Sequence, residues 1–230
     1  MMGHAGMAAA AVRYLRTSGA ATGAGRADGV PAPYAVAGRP PLRAVRDDER
    51  APLDPAEFRR VLGSFASGVT VITAPAAPAA AETTDTHSAA GAEPRPAGFA
   101  CQSFASLSLD PPLVAFMVAR TSTSWPHIAR AGVFCVNVLG AGQGELCRAF
   151  AVSGADKFAG VAHSPAPVTG APRLDGVPAW IDCAIHAVHT GGDHLIVVGR
   201  VLALDAVQGA GAEDGPLLFH RGQFGRFAEA

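Results

Sequence analysis

Gly98-Phe99-Ala100-Cys101-Gln102-Ser103-Phe104-Ala105-Ser106-Leu107-Ser108-Leu109-Asp110-Pro111-Pro112 runs straight into the apolar stretch Leu113-Val114-Ala115-Phe116-Met117-Val118. From Ser106 to Leu109 serine alternates with leucine at the two-residue period of a strand. That predicts one face of hydroxyls and one that packs inward, until Asp-Pro-Pro ends the strand. The pattern suits either an ordinary antiparallel strand with a wet face or a polar ledge beside a core. Neutral hydroxyls on a rigid strand, next to backbone groups freed at a Pro-Pro turn, match the needs of a planar polar ligand.

Outward from this strand the chain reads as many short strands and few helices. Asp54-Pro55-Ala56-Glu57 places an N-cap acid, a proline at the first helical position and a glutamate at the third. This arrangement satisfies the free amides of a helix start, so the folded domain is expected to begin here. Phe58, Val61, Leu62 and Phe65 share one helix face, and the helix is expected to end near Gly68. The β-branched Val69-Thr70-Val71-Ile72-Thr73 then reads as strand. Residues 75–96 have no period and look like a flexible insertion into a hairpin. Residues 122–129 form a hydroxyl-rich loop feeding a short helix, 133–139 a buried strand, and 144–152 another short helix. Residues 179–189 and 194–207 flank Thr190-Gly191-Gly192-Asp193 as a long hairpin. The sum is a mainly β barrel or sandwich.

Composition narrows the classes. At 230 residues, 49% of them hydrophobic and 16% charged with a net charge of -1, the chain suits one domain with a sizeable core and gives no basic excess for nucleic acid. Its longest apolar runs are too short to span a bilayer. The four cysteines show no CxxC spacing and sit among apolar neighbours, as buried thiols do in a reducing compartment. Residues 1–50, rich in Ala, Gly, Pro and Arg and poor in acids, lack an apolar period and are expected to be disordered. Their arginines suit a transit peptide, but no signal-peptide apolar region is present. Gly140-Ala141-Gly142-Gln143-Gly144-Glu145 lacks the third glycine at the right spacing, and the following βα unit, of a dinucleotide loop. His186 and His189, three apart on a strand, point to opposite faces and do not chelate together, so no metal site is expected.

The stretch from Gly98 to Pro112 resembles the flavin-binding strand of the flavin reductase family, whose members reduce free flavin for a partner monooxygenase. Similarity continues, in the family's order, through residues 58–73, 131–139, 156–161, Gly192-Asp193-His194, Val198-Gly199-Arg200-Val201 and Pro216-Leu217-Leu218-Phe219. The resemblance implies an FMN-binding split β-barrel with a few short helices over residues 51–230. It also implies a cytoplasmic homodimer that binds FMN or FAD non-covalently near the subunit interface. NADH, rather than NADPH, is the expected hydride donor, since no basic site for a 2′-phosphate is evident. Reduced flavin would pass to a separate flavin-dependent monooxygenase.

Site residues follow from the same resemblance. Gln102, Ser103, Ser106, Leu107 and Ser108 border the isoalloxazine ring. The family more often shows Thr-Ala-Asn-Ser where this chain has Ala100-Cys101-Gln102-Ser103, so a hydroxyl is lost at Ala100 and Gln102 is one methylene longer. This Cys-Gln-Ser form resembles a branch serving aromatic-ring and steroid-ring hydroxylases. Ser122, Thr123 and Ser124 offer hydroxyls and helix-start amides to the flavin phosphate, and Lys157, followed by Phe158, offers the cation. The plainer alternatives are a helix cap for Ser124 and a surface charge for Lys157. His194 matches the position near the nicotinamide side of the flavin, its alternative being an exposed turn residue. Arg221 and Phe224 lie where the C-terminal turn approaches the flavin, or else pack the rim. No acid–base dyad is needed, because the cofactor carries the chemistry. Two rivals remain: a flavin-binding barrel without turnover, and another split-barrel flavin or deazaflavin oxidoreductase.

Overall fold

The computed structural model describes residues 53–76, 95–154, 156–206 and 215–228. The expectations for residues 1–50, and for most of the 75–96 insertion, lie outside these. Among the described residues three helices, α1 (Pro55–Leu62), α2 (Trp125–Ala131) and α3 (Gly144–Ala151), accompany twelve strands. These are β1 (Ser67–Gly68), β2 (Thr70–Ala74), β3 (Ala97–Cys101), β4 (Ala105–Leu109), β5 (Pro112–Ala119), β6 (Val133–Val138), β7 (His163–Pro165), β8 (Pro172–Leu174), β9 (Ala179–Gly191), β10 (His194–Ala206), β11 (Leu217–His220) and β12 (Gln223–Arg226).

Seven strands form one sheet in the order β3-β2-β6-β9-β10-β5-β4. Its two edge strands, β3 and β4, are consecutive in the chain, with Gln102, Ser103 and Phe104 between them. So short a link cannot cross a flat seven-stranded sheet, so the sheet curls until its edges meet. The result is a barrel split along the seam between β3 and β4. Ser103 stitches that seam: its Oγ accepts from the Met117 N–H at 3.1 Å and donates to the Met117 carbonyl at 3.0 Å.

Ile72, Phe116, Phe134, Val136 and Val197 fill the barrel, all fully buried. Phe116 meets Phe134 edge-on at 5.2 Å between ring centroids, and Phe99 and Trp125 close the same cluster at 5.9 and 6.4 Å. A second cluster, including Val69, Val71, Leu139, Phe150, Leu174 and Leu217, lies outside the wall. With both faces covered, every residue of β2 is buried, which is why its sequence is a continuous β-branched run rather than an alternation.

Buried polar groups tie the outer layer on. Asn137 donates to the Val71 carbonyl at 3.2 Å and accepts from the Leu174 N–H at 2.8 Å, and Thr73 bonds the Pro172 carbonyl. Asp182, fully buried on β9, accepts from the N–H groups of Val168 and Thr169 at 3.0 and 3.1 Å. A buried carboxylate is tolerated only with such donors.

Three expectations change. Helix α1 stops at Leu62, capped by Gly63 rather than continuing towards Gly68, and it buries none of its residues; Phe58, Val61, Leu62 and Phe65 are 51–80% exposed. In β4 the register slips between Ser106 and Ser108, so Ser106 pairs with Val114 and Ser108 with Leu113. A bulge at Leu107 therefore separates two hydroxyls that strict alternation would put on one face. The leucines do not pack inward either: Leu107 is 54% exposed and Leu109 94%. The long hairpin matches expectation but turns more tightly, on Gly192-Asp193 alone, with Gly192 at φ +69°. No helix among the described residues is long and apolar enough to cross a membrane.

Candidate functional site

A cavity of about 450 Å³ opens beside the seam. Residues 99–103 of β3 and the seam form one wall, Met117, Val118 and Ala119 of β5 another, and the loop residues Thr121, Ser122, Thr123 and Ser124 a third. Phe150, Ala151 and Ser153 at the end of α3, with Lys157 and His194, complete the lining. Barrel curl brings β3 against the end of β5, and the outer layer brings α3 over β3.

Lys157 is half-buried. Its Nζ donates to the Gly98 carbonyl at 3.0 Å and to Ser124 Oγ at 3.3 Å, and burial pushes its ammonium below the ordinary lysine value. Ser124 itself is buried and donates to the same Gly98 carbonyl at 2.8 Å. It makes no side-chain cap; Ser122 Oγ instead accepts from the Trp125 N–H at 3.3 Å. Ser124 thus locks β3 to the start of α2 and orients Lys157. Gly98 permits this crowding: a Cβ there would sit 2.8 Å from Phe150 Cε1 and 3.0 Å from the Ile72 carbonyl oxygen.

His194 begins β10, paired with Ala119 on one side and Gly191 on the other. Its Nδ1 lies 2.8 Å from Asp193 Oδ1. Cys101 lines the cavity as a buried thiol within 3.4 Å of Ser103 Oγ, its pKa raised chiefly by burial.

Gln102, Ser103, Ser122, Thr123, Ser124, Lys157 and His194 therefore converge on one cavity, although they come from residues 102 to 194 of the chain. Ser106, Leu107 and Ser108 lie further along β4 and do not line it. Phe158 packs edge-on against Phe150 at 5.1 Å, behind the lining. Phe224 meets Phe219 edge-on and lies under the Arg148 guanidinium, 5.0 Å away, so it joins the C-terminal hairpin to α3. Arg221 occupies the turn of that hairpin at φ +49°, where its N–H donates to the Gly63 carbonyl at 3.0 Å. Sequence reasoning missed Phe99, Met117, Thr121, Phe150 and Ser153 as lining. Thr121 adjoined the serine loop and was legible; the others depend on which strand ends meet.

Residues 62–228 match the family model described as flavin reductase like domain, and the chain belongs to the flavin reductase family. It is 46% identical over 172 residues to the flavin-dependent monooxygenase reductase subunit HsaB of Rhodococcus jostii, covering 75% of this chain and 77% of that one. It is 44% identical over 179 residues to a flavin reductase of Pseudomonas putida, covering 78% and 94%. Among solved structures, the NADH:FAD oxidoreductase SgcE6 of Streptomyces globisporus, in complex with NAD and FAD fragments, superposes with a TM-score of 0.63. That match has 34% identity and covers 78% of this chain and 98% of the other. Likeness in structure to these reductases identifies the curled sheet as their split barrel.

Proposed function

We propose that this protein is an NADH-dependent flavin reductase that hands reduced flavin to a separate monooxygenase. The observation that carries the reading is the donor set of the seam cavity. Neutral donors from Gln102, Thr121, Ser122 and Thr123 surround it, with one lysine at one side and apolar Phe99, Met117 and Val118 between. A flavin has the same division, with a planar polar ring at one end and phosphate at the other, and the cavity volume falls in the range of small-molecule sites. The residues present therefore fit either FMN or FAD.

In this reading Lys157 holds phosphate with help from the hydroxyl loop, since a cation and neutral donors together stabilise an anion without closing the site. Gln102 and the backbone of the seam meet the ring edge, and Ser103 fixes their position through Met117. The flavin supplies the electron-accepting ring that takes a hydride from NADH. The protein's part is to align the two rings and exclude water, for which no acid–base pair is required. His194 orients the nicotinamide end. Lys157 is the only lysine or arginine among the described lining residues, so a second anionic group lacks its own cation, and this supports NADH over NADPH.

The names of relatives support the partner: HsaB is a monooxygenase reductase subunit. A homodimer accounts for the uncovered apolar faces of α1 and β4. Four free cysteines, all buried, suit a cytoplasmic protein. The same reading assigns residues 51–230 to one flavin reductase-like domain, with 75–96 as an insertion in it.

The test is oxidation of NADH and NADPH by the purified full chain, with FMN and then FAD titrated in under air. Saturable, flavin-dependent NADH oxidation is the expected result. Stoichiometric flavin binding without turnover would move the protein to the carrier class.

A further inference from the structure

Asp156 uses both carboxylate oxygens on the chain around Lys157. Its Oδ1 accepts from the Phe158 N–H at 3.2 Å and so closes a short turn over Lys157 itself. Its Oδ2 lies 3.1 Å from Arg95 Nη1. Arg95 leads into β3 just ahead of Gly98, whose carbonyl accepts from Lys157 Nζ at 3.0 Å. These residues close a ring: an ion pair joins Arg95 to Asp156, a hydrogen bond joins Lys157 to Gly98, and the chain completes both sides. Lys157 Nζ also donates to Ser124 Oγ, which leaves one of its three N–H groups for the cavity it lines. Where that donor points depends on how the turn is seated, and the Asp156 carboxylate seats it.

We infer that Arg95 and Asp156 are positioning residues for the phosphate end of the flavin: their ion pair holds the Lys157 turn against β3 so that the remaining N–H meets the phosphate. The inference rests on the role given to Lys157 above. Neither Arg95 nor Asp156 lines the cavity, and with side chains 72% and 50% exposed the pair contributes little to folding. Charge alone would act the other way. The Asp156 carboxylate, next to Lys157 in the chain, repels a phosphate, so through-space electrostatics makes its neutralisation tighten phosphate binding. Positioning makes the same change loosen it.

The experiment measures binding of FMN, and of riboflavin, which lacks the phosphate, to the full chain by fluorescence quenching. It compares the wild type with R95Q, D156N, R95Q/D156N, R95K and K157A. Asparagine keeps an oxygen for the Phe158 N–H, so D156N opens the ion pair and spares the turn. D156N and R95Q should each weaken FMN binding about threefold, within the reach of an exposed pair, with riboflavin affinity and the thermal midpoint unchanged. The double variant should lose no more than either single one, because the two act as a unit, and R95K should regain most of the loss. FMN affinity that is unchanged or tighter in D156N, or an equal loss for riboflavin, would overturn the positioning role alone. FMN binding left intact in K157A would remove the phosphate role of Lys157, and the inference with it.

Discussion

Lys157 concentrates the electrostatics of the site in one side chain, held by Gly98 and Ser124. Under the proposed role, K157A should weaken flavin binding about 10- to 100-fold, the worth of a charge-assisted bond to phosphate, measured by fluorescence quenching. Burial lowers the lysine pKa, so its charge is present at low pH and lost as pH rises. Flavin affinity should therefore fall at a lower pH than an exposed lysine would dictate, and K157R, charged throughout, should abolish that fall. Ser103 acts differently, through the Met117 backbone. S103A should cost about 1 kcal/mol in thermal or denaturant unfolding and loosen flavin binding with it, because the Met117 N–H and carbonyl both lose the Ser103 hydroxyl at the seam. The hydroxyl loop at 122–124 was visible in the sequence, but not its division of labour. Ser124 turns to Gly98 and Ser122 takes the cap, a choice made by β3, far back in the chain.

At the scale of elements, Gly98 decides how closely α3 seats on β3. An alanine Cβ would meet Phe150 at 2.8 Å and the Ile72 carbonyl at 3.0 Å, and the backbone oxygen cannot move aside. G98A should destabilise the protein by about 1–3 kcal/mol in chemical denaturation and also weaken flavin binding, since the displaced carbonyl anchors Lys157. Most elements were legible: the capped start of α1, the β-branched run of β2 and the glycine turn between β9 and β10 each follow from local chemistry. The bulge in β4 was not. Ser-Leu-Ser-Leu reads identically with and without an extra residue, and only pairing with Val114 and Leu113 reveals it. Nor does a local pattern say whether the apolar face of α1 has a cover.

At the scale of the whole molecule, the seam and the uncovered faces belong to one account. A seven-stranded sheet whose edges are consecutive in the chain leaves a split, and the cavity opens at that split. Leu109, Leu204 and Phe65, each at least 65% exposed, are side chains a second copy would cover. Sedimentation of the wild-type chain should give a dimer, and the triple variant F65D/L109D/L204D should shift it towards monomer. A monomeric wild type with full turnover would contradict the dimer. The cavity's location was hidden from the sequence because Ser153, Lys157 and His194 reach it only after the barrel curls. The central claim is the transfer itself, and its most direct measurement is anaerobic: protein, flavin and NADH are mixed rapidly while the yellow flavin absorbance is followed. The account predicts protein-dependent bleaching that saturates with NADH; flavin that binds yet stays oxidised over many minutes would contradict it.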